Sequence, residues 1–143
     1  MGGREAAQLV VEAAQHGIAG TGVDISRVFL AAARQRAAEL GVADRVALVE
    51  ADAGKYAFEH GGYDIVSCIG ATWIGAGLAG TLALMRPGLR DRDSLLLVGE
   101  PFWLDDAPDA AYQQIVGGDR EAYLSLAGTL DRIESAGFEL VEM

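Results

Sequence analysis

Two acidic side chains, Asp24 and Asp52, stand at positions where carboxylates can do chemistry. Asp24 closes a short apolar segment just before a helical pattern, where its carboxylate can accept hydrogen bonds from both hydroxyls of a ribose. Asp52 and Ala53 follow the next apolar segment, and a carboxylate beside a backbone N–H can pair with the amino group and ring nitrogen of an adenine. The structural alternative at each position is a helix or turn cap. The spacing of 28 residues between the two acids is what one helix and one strand require.

A second group of side chains combines aromatic rings with a carboxylate. The segments GATW (70–73) and GEPFW (99–103) place Trp73, Trp103 and Glu100 after neighbouring predicted strands. Aromatic faces can bind a cation or hold a flat substrate, and Glu100 can orient an amine or accept a proton from a nucleophile. The alternative is that both tryptophans pack at the rim and that Glu100 is a solvated loop acid. We predict a substrate pocket formed by these three side chains.

The remaining reactive residue types give no further catalytic or metal site. Cys68 is the single cysteine, so it forms no internal disulfide, and a cysteine within an apolar strand is more often a core residue than a nucleophile. His16 and His60 have no second ligand at metal-binding spacing. We therefore predict no metal site.

Composition indicates a single soluble domain spanning residues 1–143. Half of the residues are apolar, and the formal charge of −10 repels phosphate backbones, which disfavours a nucleic-acid partner. The longest uncharged apolar run is interrupted by glycines, so we predict no membrane segment. The absence of a secretory leader pattern and the lone cysteine favour the reducing cytoplasm.

Helical and strand patterns alternate along the chain, which predicts a doubly wound α/β fold with a mostly parallel sheet. We expect Ser26 to cap a helix whose core stripe is Phe29, Ala32, Ala33 and Ala37. Leucine and β-branched residues in the strands predict burial on both faces of the sheet. The predicted helices cover 4–15, 26–40, 76–85 and 119–136, and the predicted strands cover 20–25, 46–50, 63–69, 94–99 and 138–143.

Both ends of this pattern depart from a complete doubly wound sheet. The first helix begins almost at residue 4 with no strand before it, and the strand predicted from residue 138 stops at the terminus without a partner beside it. We therefore expect an incomplete sheet that lacks its first and last strands. Exposed strand edges favour pairing with another chain, so self-association is expected.

The order of four segments resembles the motif succession of class I S-adenosylmethionine-dependent methyltransferases. These segments are GTGVDIS, RVALVEADA, YDIVSCIGATW and RPGLRDRDSLLLVGEPFW, and together they extend over nearly the whole chain. The resemblance implies a Rossmann-like sheet with S-adenosylmethionine as the cofactor. It further implies that Asp24 holds the ribose, that Ile25 packs on the adenine, and that Asp52 with Ala53 binds the adenine edge.

The resemblance also assigns Cys68, Ile69 and Gly70 to the methionine and methyl region of the cofactor. One family motif, an acid followed by spaced glycines at the end of the first strand, is absent, and Gly2 and Gly3 are its only candidate remnant. That loop lets backbone approach the methionine carboxylate at a helix N-terminus. The sequence is therefore expected to be a fragment of the family fold.

Three functions follow as expectations. The first is methyl transfer to a small-molecule acceptor by direct in-line displacement at the sulfonium methyl. The second is a truncated, catalytically incompetent domain that acts only as a binding or interaction unit. The third is an NAD(P)-dependent oxidoreductase, because an acid after the second strand also serves that chemistry.

Overall fold

The computed structural model describes residues 3–57, 60–104, 110–111, 114 and 123–143. It divides into two compact units, Met1–Phe58 and Glu59–Met143. The first unit contains, in chain order, α1 (Gly3–His16), β1 (Gly20–Asp24), α2 (Arg27–Glu39) and β2 (Val46–Glu50). The second contains β3 (Ile65–Ile69), α3 (Leu78–Met85), β4 (Leu95–Gly99) and α4 (Leu126–Ser135). The predicted alternation of helices and strands is confirmed, and the single domain stays a prediction.

The first unit is a parallel strand pair packed against two helices. β1 and β2 pair from Gly20 opposite Val46 to Asp24 opposite Glu50. A Cβ atom on Gly20 would lie 2.7 Å from Leu9 Cδ1 of α1, so glycine lets α1 lie close against the strand. The core of this unit consists of small and medium apolar side chains: Ala6, Val10, Ala13, Leu30, Ala33, Ala37, Val42 and Val46.

The face of α2 that reaches this core differs from the predicted one. Ser26 is the N-cap, and its hydroxyl accepts a hydrogen bond from the Phe29 N–H at 3.4 Å, as predicted. Leu30, Ala33 and Ala37 are buried, whereas Phe29 is 45% exposed and Ala32 is also exposed, so these two core assignments were wrong. The buried residues follow spacings of three and four, and Phe29 lies about 100° around the helix from Leu30.

The second unit is built on another parallel strand pair. β3 and β4 pair from Ile65 opposite Leu95 to Ile69 opposite Gly99. The prediction of burial on both faces was wrong for both strands of this pair. Val66 and Cys68 are buried, whereas one face carries exposed apolar side chains: Ile65, Ile69, Leu95 and Leu97. Successive side chains point to opposite faces of a strand, so these exposed residues share one face of the pair.

Two predicted helix starts and one predicted strand in the second unit also change, and β3 and β4 begin at Ile65 and Leu95 rather than at residues 63 and 94. α3 begins at Leu78 rather than at residue 76, because Ala76 and Gly77 have positive φ angles of 60° and 112°. α4 begins at Leu126 behind the N-cap Ser125, and the part of the predicted helix from 119 to 122 lies outside the described residues. The predicted strand over 138–143 is absent, since these residues form no ladder. Phe138 instead lies against the Arg86 guanidinium, whose carbon is 4.1 Å from the ring centre.

None of the helices in the described part of the chain is long and apolar enough to cross a membrane.

Candidate functional site

Asp24 lies at the carboxyl end of β1 with one carboxylate oxygen unsatisfied. The residue is 5% exposed, and its Oδ1 accepts a hydrogen bond from the Ser26 N–H at 2.7 Å. Its Oδ2 is buried, and no hydrogen-bond partner for it exists among the described residues. Burying such an oxygen without a partner costs free energy, so each case in a native protein needs an explanation. A ligand hydroxyl that donates to Oδ2 would satisfy this oxygen.

Asp52 follows the neighbouring strand at the same edge of the sheet. Asp24 pairs with Glu50, and the Ala51 N–H donates to the Asp24 carbonyl oxygen at 3.1 Å, so Asp52 comes immediately after the paired segment. Its Oδ1 accepts from the Gly54 N–H at 3.0 Å, and its Oδ2 lies 3.3 Å from Lys55 Nζ. Asp52 therefore caps a short 3₁₀ turn.

The residues next to the two acids have accessible groups. Ile25 is 70% exposed directly after Asp24, which leaves an apolar side chain available to a flat ring. Val28, in the first turn of α2, is exposed as well, and the sequence analysis missed it. Ala53 begins the 3₁₀ turn Ala53–Lys55, in which the Gly54 and Lys55 N–H groups both donate to Asp52.

Cys68, Ile69 and Gly70 lie at the carboxyl end of β3 in the second unit. Cys68 is buried, and Ile69 exposes about half of its surface. Gly70 has a φ of 66°, a left-handed conformation that favours glycine, and its N–H donates to the Gly99 carbonyl oxygen at 2.9 Å. The ends of β3 and β4 are thereby held together.

Glu100 follows β4 and is hydrogen-bonded to the loop after β3. The Thr72 hydroxyl donates to Glu100 Oε2 at 2.5 Å. Partial burial raises the pKa of Glu100 above its usual value, while the hydrogen bond from Thr72 and the positive charge of Arg132 act in the opposite direction. Among carboxyls, those with raised pKa values are better proton acceptors near neutral pH.

The two tryptophans lie on different segments of the second unit. Trp73 belongs to the 3₁₀ turn Thr72–Gly75 and is largely exposed. Trp103 is half-buried, and its backbone N–H donates to the Leu124 carbonyl oxygen at 2.8 Å, which ties it to the segment before α4. Thr72 is thus the residue that the structure brings to Glu100, and the sequence analysis missed it.

No cluster of three or more His, Cys, Asp or Glu side chains able to hold a metal ion occurs in residues 3–57, 60–104, 110–111, 114 and 123–143.

Sequence comparison identifies the family of the chain. Residues 3–89 match the family described as "Methyltransferase domain". The chain belongs to this methyltransferase family. The uncharacterized protein YjhP of Escherichia coli K12 is 35% identical over the whole chain, which spans 57% of that protein's length.

Solved structures place the fold in the same family. The methyltransferase chain is 38% identical to a Geobacter sulfurreducens S-adenosylmethionine-dependent methyltransferase, with a TM-score of 0.88 over 99% of this chain and 55% of that one. A Thiobacillus denitrificans enzyme of the same description is 34% identical, with a TM-score of 0.85 over 99% of this chain and 56% of that one. Both were solved in complex with S-adenosyl-L-homocysteine. The structure of YjhP also has a TM-score of 0.85, at 37% identity, with 99% and 56% coverage.

These similarities confirm a Rossmann-like methyltransferase fold, and S-adenosylmethionine is the cofactor of this family. The chain spans a little over half the length of the relatives it matches.

Proposed function

We propose that this chain takes part in transfer of a methyl group from S-adenosylmethionine to a small-molecule acceptor by direct in-line displacement. The observation that carries the proposal is the buried Asp24 Oδ2, which lacks a partner among the described residues. A ribose hydroxyl is the donor that this oxygen fits, because the carboxylate lies at the carboxyl end of a parallel strand, where nucleotide ligands bind in such sheets.

Four residues of the first unit fit the adenosine part of the cofactor. Asp24 would accept from the ribose, and the exposed Ile25 would cover a face of the adenine. Asp52 and the Ala53 N–H follow β2 at the same edge of the sheet, where they would pair with the adenine edge. The assignment of Cys68, Ile69 and Gly70 to the methionine and methyl region rests on the family resemblance and remains a prediction.

The acceptor-side chemistry is assigned to the second unit. S-adenosylmethionine supplies an electrophilic sulfonium methyl, so the protein has to align the nucleophile and remove a proton only where the nucleophile carries one. Glu100 would accept that proton, since partial burial raises its pKa and so favours proton uptake. Trp73 and Trp103 would provide aromatic surface for the acceptor.

Titration calorimetry tests this proposal directly. We expect saturable binding of S-adenosylhomocysteine and no binding of NAD at the same concentration, because the family match favours methyl transfer over NAD(P)-dependent oxidoreduction. The titration is repeated on a version of the chain extended at its N-terminus. Binding of NAD in place of S-adenosylhomocysteine would contradict the proposal.

A second candidate function is a catalytically incompetent methyltransferase-like domain that acts only as an interaction unit. The apolar face of the β3–β4 pair favours it: Ile65, Ile69, Leu95 and Leu97 are all exposed there. Binding of S-adenosylhomocysteine by the extended version alone would support this alternative for the present chain.

This exposed face leads us to expect self-association of the chain. Light scattering during size-exclusion chromatography should give a mass above the 15.0 kDa of one copy and rising with concentration. Leu97→Lys should lower that mass by placing a charge on the face, whereas Leu140→Lys, at an exposed leucine outside the strands, should leave it unchanged. A monomer at all concentrations would contradict the prediction.

A further inference from the structure

The ends of β3 and β4 are hydrogen-bonded, and position 99 has no room for a side chain. Gly70 donates its N–H to the Gly99 carbonyl oxygen at 2.9 Å, and a Cβ atom on Gly99 would lie 2.8 Å from Ile69 Cγ2. Only a residue without a side chain fits at position 99 without a shift. The segments that leave the two strands therefore start side by side, and this places Thr72 next to Glu100.

A network of directed hydrogen bonds fixes the backbone of the loop that carries Thr72. Thr81 is fully buried, and its hydroxyl donates to the Thr72 carbonyl oxygen at 2.6 Å while accepting from the Gly75 N–H at 3.2 Å. The Thr81 hydroxyl therefore uses its one proton in the hydrogen bond to the Thr72 carbonyl oxygen. A loop anchored in this way holds its side chains with little freedom.

The Thr72 side chain links this anchored loop to the carboxyl group of Glu100. Thr72 is 7% exposed, and its hydroxyl donates a hydrogen bond to Glu100. The bond engages Oε2 of the carboxyl group. A donor at this distance favours the ionised carboxylate, which is the form that accepts a proton.

We propose that Thr72 is a positioning residue that orients Glu100 as the proton acceptor for a methyl acceptor with a protonated nucleophile, such as a hydroxyl, amine or thiol. The proposal rests on the function proposed above, in which Glu100 accepts a proton from the methyl acceptor. A base is needed only for a nucleophile that loses a proton. A carboxyl group oriented by a hydroxyl donor is therefore expected where the nucleophile carries a proton.

The electrostatic balance at Glu100 agrees with this role. Partial burial raises the pKa of its carboxyl, the Thr72 hydroxyl lowers it, and Arg132 of α4 lowers it further. Without the Thr72 hydroxyl, Glu100 would be protonated at a higher pH, so a reaction that needs the carboxylate would lose rate at a higher pH as the solution is acidified.

The test compares Thr72→Val with Thr72→Ser on the whole chain. Carbon-13 NMR of the Glu100 carboxyl, assigned with Glu100→Gln, follows its titration in each variant. We expect the pKa of Glu100 to rise by about one pH unit in Thr72→Val and to stay near the wild-type value in Thr72→Ser, which keeps the hydroxyl. Thr129→Val, at a buried threonine of α4, is the matched control and should leave it unchanged.

A second measurement on the wild type covers the case in which Thr72→Val fails to fold. Exchange of the solvent for D₂O should shift the Glu100 carboxyl resonance through the hydroxyl bond, in the wild type and in Thr72→Ser alike. An absent isotope shift in the wild type, or equal pKa values in wild type and a folded Thr72→Val, would overturn the positioning role. Neither measurement requires cofactor, so this failure is distinct from a failure to bind S-adenosylhomocysteine, which would overturn the proposed function and the acceptor role with it.

Discussion

Asp24→Asn is expected to weaken the binding of S-adenosylhomocysteine by about 10- to 100-fold, the range for loss of a hydrogen bond to a charged group. Asparagine can still offer Oδ1 to the Ser26 N–H, so the local turn before α2 is kept. The position of Oδ2, however, becomes an NH₂ donor. The buried acceptor without a described partner is thereby removed with minimal change of shape.

The control for this variant is Asp44→Asn, which removes an exposed carboxylate from the same unit. It changes the net charge by the same amount, so it separates the specific effect of Asp24 from the general field of an acidic protein. Thermal unfolding gives an independent check. Asp24→Asn should unfold at the wild-type temperature or above it, because the neutral amide costs less to bury than the carboxylate charge that it replaces. Equal affinities of Asp24→Asn and wild type would contradict the assignment of the ribose to Asp24.

The alternation of elements could be predicted from sequence because it depends on local patterns. The boundaries of β1 and β2 agree with the sequence to within one residue. The buried face of α2 was harder to predict. Both the predicted and the observed buried stripe contain Ala33 and Ala37, so the choice between Phe29 and Leu30 depends on which residues pack against the helix. Burial on one strand face likewise depends on neighbours that the pattern of β3 does not specify.

The site residues that lie at the ends of predicted strands could be predicted from the sequence. The position of Asp24 at the end of β1 was apparent from its place before a capped helix. The buried state of its Oδ2 was not, because it depends on the packing around the strand. Thr72 was missed for a different reason: it reaches Glu100 across 28 residues, and only the register of β3 against β4 brings the two together.

Gly80→Ala is expected to destabilise the second unit, although alanine is the better helix former. Gly80 lies within α3, where replacing glycine by alanine should gain about 1 kcal/mol from helix propensity alone. A Cβ atom there would lie 1.8 Å from the Gly75 carbonyl oxygen, which belongs to the backbone and has no rotamer by which to move away. We expect the steric effect to prevail, with a net loss of about 2–3 kcal/mol in the free energy of unfolding.

Gly128→Ala is the matched control, because Gly128 occupies the third position of α4 as Gly80 does in α3. Its added Cβ would meet the Leu124 side chain at 3.2 Å, which a flexible side chain can accommodate. Urea denaturation followed by tryptophan fluorescence should therefore show a lower midpoint for Gly80→Ala and a midpoint near or above wild type for Gly128→Ala. If both variants gained stability, helix propensity would prevail at both positions, and the contact between Gly80 and the Gly75 carbonyl oxygen would not exclude a side chain at position 80.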